Sequence, residues 1–364
     1  MIVFVHLLND FSGSPRVLRD VIEISVKNDR VVLFHGSRGR GVLTGLNVPI
    51  VNFFYNRSRF KIVTLINYLV SQFSLFIRLS RCNLISKDAI IYVNTLLPFA
   101  AIIWAKANGH RVIVHAHEIS ISPKILRLFL SYVARTCADK ILYVSNDHRL
   151  RLDISHSNDS IVPNTISEEM ALSASKATYQ PRRSGYFDIL MLSSFKDYKG
   201  INEYISLVDC FSKIETIRFT LVLSGPERDI DIFKLKNSKF NNLRIFTNVK
   251  DPSIFYEECD VLLNLSKPTQ WVETFGLTIL EAMSFGVPVI VPTVGGPTEL
   301  VTDGCEGFLV DSRDFECLKD RIMKIFSSPS LAMHLSKLAL SRSKDFDRKV
   351  FEKRFRSIIS ELKG

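Results

Sequence analysis

Residues 271–300 read WVETFGLTILEAMSFGVPVIVPTVGGPTEL, and they set the reading of the whole 364-residue chain. Glu273 opens the stretch, and Glu281 follows after seven intervening residues. Between them Phe275-Gly276-Leu277 leads into Thr278-Ile279-Leu280, a run that suits a short helix. Gly286 and Pro288 end it, in the usual order of a glycine just past a helix and a proline soon after. Residues 287–291, VPVIV, then read as a buried strand of a parallel sheet. Gly295 and Gly296 precede Pro297, which suits the first turn of a further helix. Such a unit predicts an α/β chain. It is also a place to hold a phosphorylated ligand: Gly276 lets backbone come close, and the N–H groups opening a helix attract an anion. Glu281, inside the helix, can accept hydrogen bonds from a vicinal diol such as a ribose, and Glu273 would meet the other end of the same ligand. A carboxylate at each end of a diphosphate suits a nucleotide-sugar. The bland alternative is an ordinary strand–helix–strand unit with solvated glutamates.

The complete pattern is Glu, seven residues, Glu, with Phe-Gly after the first and Gly-x-Pro-Val after the second. It resembles the donor-site signature of retaining GT-B glycosyltransferases, closest to glycosyltransferase family 4. The resemblance implies that Glu273 contacts hydroxyls of the transferring sugar and that Glu281 binds the ribose. It implies that the backbone of Thr274, Phe275, Gly276 and Leu277 meets the distal phosphate or sugar. The continuation at 295–310, GGPTELVTDGCEGFLV, follows the family as well. So does SSFKDYKG at 193–200, where the family carries Gly-Arg and later Lys-Gly to grip the donor diphosphate. Lys199-Gly200 matches the second pair; Ser193 and Ser194 stand at the first, with Lys196 in the loop between. Gly225 ends a strand read over 219–223, and Val249 lies in the segment 247–250 whose backbone faces the base in the family.

The resemblance extends into the first half. His117-Glu118 matches the family's histidine–acid pair after an apolar strand, which assigns His117, with Glu273 and Lys199, to the catalytic set. Glu118 joins Gly13 and Ser14 on the acceptor side. Tyr143-Val144-Ser145 and Ile161-Val162-Pro163-Asn164 match landmarks that close a first domain, with Thr165 at the usual glycine. The implied architecture is GT-B: two Rossmann-like doubly wound domains, 1–166 for acceptor and 186–345 for donor, facing a cleft. A helix over 346–364 would cross back to the first. The implied function is retaining, metal-independent transfer of a sugar from a nucleotide donor, UDP before GDP, to a glycan or lipid-linked acceptor. Bacterial surface polysaccharide assembly (O-antigen, capsule or exopolysaccharide) is the implied setting, at the cytoplasmic membrane face. A small-molecule acceptor and a non-catalytic nucleotide-sugar-binding subunit are the alternatives. No cofactor is expected, and no phosphorylase-type cofactor lysine motif is recognisable.

Composition agrees with two soluble domains: 46% apolar and 23% charged residues over a length too great for one small core. Six scattered cysteines without C-x-x-C or metal-ligand spacing suit reduced thiols. The start, MIVFVHLLND, reads as a first strand with no basic leader and so no signal peptide. The net charge of +10 lies wholly in residues 1–186, which hold 23 Lys+Arg against 12 Asp+Glu. An anionic membrane surface or phosphorylated acceptor fits that excess; nucleic acid ranks last, because no binding motif accompanies it.

In chain order, strands are read at 2–7, 30–35, 48–54, 89–93, 111–115 and 140–144, alternating with helices as a doubly wound parallel sheet requires. Ser14-Pro15 suits a helix start, the loop 36–45 reads as mobile, and 167–185 reads as an interdomain hinge. His115 and His117 alternate on one strand, but no third metal ligand with suitable spacing accompanies them. Two D-x-D triplets, Asp229/Asp231 and Asp345/Asp347, read as solvated charges. The unusual segment is 61–78, whose interior 62–77 carries no charge. Thr64, Asn67, Ser71 and Ser74 form a polar stripe against a broad apolar face, flanked by Arg57, Arg59 and Lys61 before and Arg78, Arg81 and Lys87 after. Sixteen residues fall short of the roughly 20 that span a bilayer. A helix in the membrane interface and a helix packed on the sheet are both consistent with the pattern.

Overall fold

The computed structural model of the chain describes residues 1–36 and 41–363, with the side chain of Lys61 left out. The loop expected over 36–45 therefore falls in part, at 37–40, outside the described residues. The chain divides into two compact units, residues 1–163 with 351–364, and residues 164–350.

The first unit holds strands β1 (Ile2–His6), β2 (Val31–His35), β3 (Ile50–Asn52), β4 (Ile90–Asn94), β5 (Arg111–His115), β6 (Lys140–Tyr143) and β7 (Asp159–Ile161). They are parallel, in the order β3-β2-β1-β4-β5-β6-β7. IVFVH, VVLFH and IIYVN are buried at every position, as continuous apolar runs with helices on both faces must be. Four of the helices matter below: α1 (Gly13–Ser25), α2 (Lys61–Ser80), α3 (Phe99–Ala107) and α4 (Lys124–Cys137). Helix α1 starts earlier than Ser14-Pro15 suggested. The Asp10 carboxylate accepts hydrogen bonds from both N–H and Oγ–H of Ser12, which turns the chain at Ser12.

Helix α2 has the polar stripe the sequence predicts, but the stripe faces protein. Thr64 Oγ1 accepts from Ser58 N–H and donates to Ser58 O, Asn67 Nδ2 donates to Asn56 O, and Ser74 Oγ accepts from Phe54 N–H. Tyr68, Leu75 and Leu79 join the core, and Ser71 and Gln72 are buried. The broad apolar face is left outside.

The second unit holds β8 (Phe187–Ser194), β9 (Ile217–Ser224), β10 (Leu243–Thr247), β11 (Val261–Leu263), β12 (Val289–Val291) and β13 (Gly307–Leu309), all parallel, in the order β10-β9-β8-β11-β12-β13. Each sheet reverses direction of winding beside its first strand, between β1 and β4 and between β8 and β11. Open α/β sheets bind ligands outside the carboxyl ends of strands at such switch points.

Two boundaries differ from expectation. The supposed hinge at 167–185 begins with the helix Glu168–Lys176, which packs on the helix Leu277–Ser284 within the second unit. Ser167 Oγ accepts from Met170 N–H, Glu168 and Glu169 stand in the first turn, and Met170 and Ala174 are buried. A capped amphipathic helix had been disguised by small polar residues. At the other end Lys344–Phe346 form one 3₁₀ turn, and the helix Arg348–Lys363 returns to the first unit from Phe351 onward. There Phe355 packs edge-on to Tyr92 and Glu361 bridges Lys140 at 3.1 Å.

Candidate functional site

In the second unit the predicted donor residues gather after the carboxyl ends of β8 to β11. Ser194 is the last residue of β8, and a 3₁₀ turn, Asp197–Lys199, follows it. Gly200 closes that turn at φ +83°, and a Cβ there would stand 2.1 Å from Leu265 O. Only glycine permits this close approach, which delivers Lys199 to the segment after β11. The Lys199 ammonium hydrogen-bonds Glu273 Oε1, and Ser266 Oγ–H donates to the same oxygen at 2.6 Å. The ammonium also sits 5.1 Å above the Trp271 ring, itself stacked on Tyr198 at 4.9 Å. Burial opposes ionisation of Glu273, but the charge and hydrogen bond of Lys199 together with Ser266 outweigh it and hold the carboxyl below the usual range. Glu273 is therefore an anion at neutral pH.

The wall behind Glu273 is backbone. Gly296 N–H donates to Glu273 O at 2.9 Å, and a Cβ on Gly296 would lie 2.4 Å from Thr274 O. The Gly295-Gly296 pair thus lets the turn before Pro297 press flat against 273–275. The helix Leu277–Ser284 begins there at Gly276, while the Phe275 side chain is buried against Phe346. One turn into this helix, Glu281 is buried, and Tyr256 Oη–H donates to its Oε2 at 2.6 Å. Gly225, after β9, is tied to Asn248, after β10: Gly225 N–H donates to Asn248 Oδ1 and Asn248 Nδ2 donates to Gly225 O. Asn248 takes the left-handed φ of +50°, and Val249 follows it. Lys196, between Ser194 and Lys199, is exposed.

The first unit assembles its own polar cluster at the β1/β4 switch point. Asn94, the last residue of β4, donates from Nδ2 to Ser14 O at 3.2 Å, and its Oδ1 faces His117 Nε2 at 3.0 Å. Because Ser14 O can only accept, the amide orientation is fixed; His117 must then donate from Nε2, which leaves Nδ1 as its acceptor atom. The next residue, Thr95, holds a left-handed φ of +75°, a strained conformation for a β-branched side chain. Glu118 Oε2 accepts from Leu96 N–H and His117 N–H, and Glu118 O meets His148 Nε2 at 3.0 Å. His115 Nδ1 meets Tyr92 Oη at 2.5 Å. Burial pushes His6 down to about 4 and His115 to about 3, and it lowers His117 well below the ordinary histidine value with help from His115, His148 and His6. Burial raises Glu118. The histidines of the cluster are therefore neutral hydrogen-bonding groups at physiological pH. Gly13 and Ser14 open α1 beside the cluster, so Ser14 and His117 are linked through Asn94, and Glu118 is tied to His117 through its N–H.

Sequence reasoning named the charged residues and missed their holders: Asn94, Tyr256, Ser266, and the Tyr198–Trp271 stack. Trp271 and Tyr198 stood in the quoted motifs and Ser266 lies seven residues from Glu273, whereas Asn94 and Tyr256 lie 23 and 25 residues from the groups they hold. Among the described residues no group of three or more His, Cys, Asp or Glu is placed to hold a metal ion. The four D-x-D aspartates are exposed.

Against known proteins, residues 178–342 match the family model described as glycosyl transferases group 1, which covers most of the second unit. Among full-length relatives, an uncharacterized glycosyltransferase of Methanocaldococcus jannaschii is 27% identical over 238 residues, 62% of each chain. The alpha-monoglucosyldiacylglycerol synthase of Acholeplasma laidlawii is 24% identical over 273 residues, 68% of this chain and 66% of that one. The chain thus spans just under two thirds of either relative. The crystal structure of Anabaena Alr3699/HepE in complex with UDP-glucose superposes with a TM-score of 0.78 at 18% identity, covering 99% of both chains. The chain has this fold from end to end: GT-B, with two Rossmann-like parallel sheets.

Proposed function

We propose that the protein is a retaining glycosyltransferase of family 4 that moves a sugar from a nucleotide-sugar, UDP-linked before GDP-linked, to a glycan or lipid-linked acceptor. The observation that carries this reading is the partly buried Lys199–Glu273 pair at the carboxyl edge of the second sheet, beside the helix that holds Glu281. In a retaining transfer the leaving diphosphate gains charge while the anomeric carbon becomes cationic. Lys199 has three donors; one meets Glu273, and the others suit phosphate oxygens. The N–H groups opening the helix Leu277–Ser284 add a second anion-stabilising element. Glu273 orients the sugar, Glu281 takes the ribose, and His117 offers neutral Nδ1 to a sugar hydroxyl. Preorganised groups of this kind stabilise developing charge without a metal. The group 1 family match and the glycolipid synthase among the relatives support the assignment, and bacterial surface polysaccharide or glycolipid assembly on the cytoplasmic side is the setting it suggests.

A thermal-shift screen against UDP, GDP and their sugars tests the donor, since a ligand at 100-fold its Kd adds about 2.7 kcal/mol of stability. No shift with any of them overturns the reading. Ser194, where the family carries arginine, favours a second reading: a subunit that binds nucleotide-sugar without turnover. Binding together with hydrolysis or transfer of the sugar eliminates it.

A further inference from the structure

Helix α2 leaves Ile62, Ile66, Leu69 and Phe73 exposed at 75%, 55%, 53% and 69%, spaced four, three and four residues apart on one face. Its rotation is fixed from the other side by the bonds to 54–58, by Tyr68 Oη donating to Leu97 O at 2.7 Å, and by Gln72 Oε1 accepting from Ala100 N–H at 3.2 Å. The layer continues through α3, whose Phe99 ring lies 6.1 Å from Tyr68 and 5.0 Å from Phe129 of α4. Helix α4 in turn exposes Ile125 and Leu128 at 76% and 57%. Two helices packed on the same neighbour therefore turn large apolar side chains outward, which marks an interaction surface. Arg57, Arg59 and Arg81 flank α2, Arg78 stands in its last turn, and Lys124 and Arg127 belong to α4. Residues 54–87, α3 and α4 contain no Asp or Glu. A second copy would set like charge against like, whereas an anionic surface with an apolar interior complements both properties.

We propose that α2 and α4 form a docking surface for an anionic lipid bilayer, lying in its plane at the boundary between headgroups and acyl chains. By length and composition Ile62–Ser80 could also cross a membrane. Crossing would break the hydrogen bonds of the polar stripe and extract Tyr68, Leu75 and Leu79 from the core, so the in-plane arrangement is the one this fold accommodates. The proposal does not depend on glycosyl transfer, because its test needs neither donor nor acceptor.

The full chain is sedimented with vesicles of phosphatidylcholine alone or mixed with phosphatidylglycerol. Wild type should favour the mixed vesicles. Arg57→Ser/Arg59→Ser/Arg81→Ser should lose roughly fivefold in partitioning per charge, about 100-fold in all. Ile66→Ser/Leu69→Ser/Phe73→Ser and, independently, Ile125→Ser/Leu128→Ser should weaken binding to the mixed vesicles by at least tenfold. All of these side chains are exposed, so unfolding midpoints should hold; if one apolar variant misfolds, the other still decides. Equal partitioning of wild type and variants overturns the proposal. So does a wild-type dimer in sedimentation equilibrium that the apolar variants dissociate, because a second copy would then cover the face.

Discussion

Replacing Lys199 by alanine removes the ammonium that the structure sets against Glu273. The two side chains are 16% and 15% exposed, so the carboxylate left behind remains largely out of water without its partner. Breaking a buried pair from one side costs about 3–5 kcal/mol; Ser266 still donates to Glu273, so the expected loss is about 3 kcal/mol at pH 7. Its pH dependence is the sharper test. In wild type the carboxyl is held below its ordinary 4.5, so the pair contributes stability above that pH and loses it as pH falls through the folded value. In Lys199→Ala burial acts with its strongest opponent gone and raises the carboxyl, so that variant is most stable in acid and weakens as pH rises. The difference between the two proteins should therefore open from near zero at about pH 4 to its full size by about pH 7. The two tryptophans, Trp104 and Trp271, lie one in each unit. In a Trp104→Phe background, urea unfolding followed by Trp271 fluorescence reads the second unit alone. Adding Glu273→Gln to Lys199→Ala should restore most of the stability and none of the activity. Activity itself should fall by at least the roughly 10²–10³ in kcat/KM of one lost oxyanion donor. A stability difference that is below about 1 kcal/mol, or the same at both ends of the pH range, would refute the pair as described.

Glu281→Ala should weaken nucleotide binding roughly 10- to 100-fold by calorimetry, from the loss of a charged acceptor, and Tyr256→Phe should weaken it less, by releasing the carboxylate's orientation. His6 and His115 fold with values of about 4 and 3 against 6.5 when unfolded, so their stabilisation is present above pH 6.5 and is lost on acidification. At about pH 5 each should have cost the first unit about 2 kcal/mol, and Trp104 should report unfolding before Trp271 does. Turnover should survive EDTA, and NMR of the product should show the donor's anomeric configuration; rescue by Mn²⁺ after EDTA, or an inverted product, would overturn the mechanism.

The strands were legible because a doubly wound sheet buries both faces: IVFVH, VVLFH and IIYVN are unbroken apolar runs ended by polar residues. The short edge strand β13 passed unread, since GFL has neither length nor pattern. The placement of Glu273, Gly276 and Glu281 was legible, because local spacing alone sets one before, one at the start of and one within the same helix. What fixes those residues was not. Tyr256 lies 25 positions from Glu281, and Asn94 lies 23 from His117. No periodicity reports a hydrogen bond that a parallel crossover creates, and the orientation of His117 follows from such a bond.

Helix α2 shows the same gap in another form. Spacing says which residues share a helical face, and the stripe of Thr64, Asn67, Ser71 and Ser74 is present as spacing predicts. Spacing does not say which face turns inward; ordinarily an apolar face does, and here part of it does not. The reason lies in the connection from β3 to α2. The β2–β3 ladder ends with Phe53 N–H donating to His35 O, so the backbone groups of residues 54–59 have no ladder partners. Backbone groups against protein must be satisfied. Thr64, Asn67 and Ser74 satisfy Ser58, Asn56 and Phe54. Once the stripe is committed to that stretch, the helix cannot also bury Ile62, Ile66, Leu69 and Phe73, which lie on the opposite side. The exposed apolar face is thus a consequence of how the connection is held, which is why it persists as a surface instead of collapsing into the core.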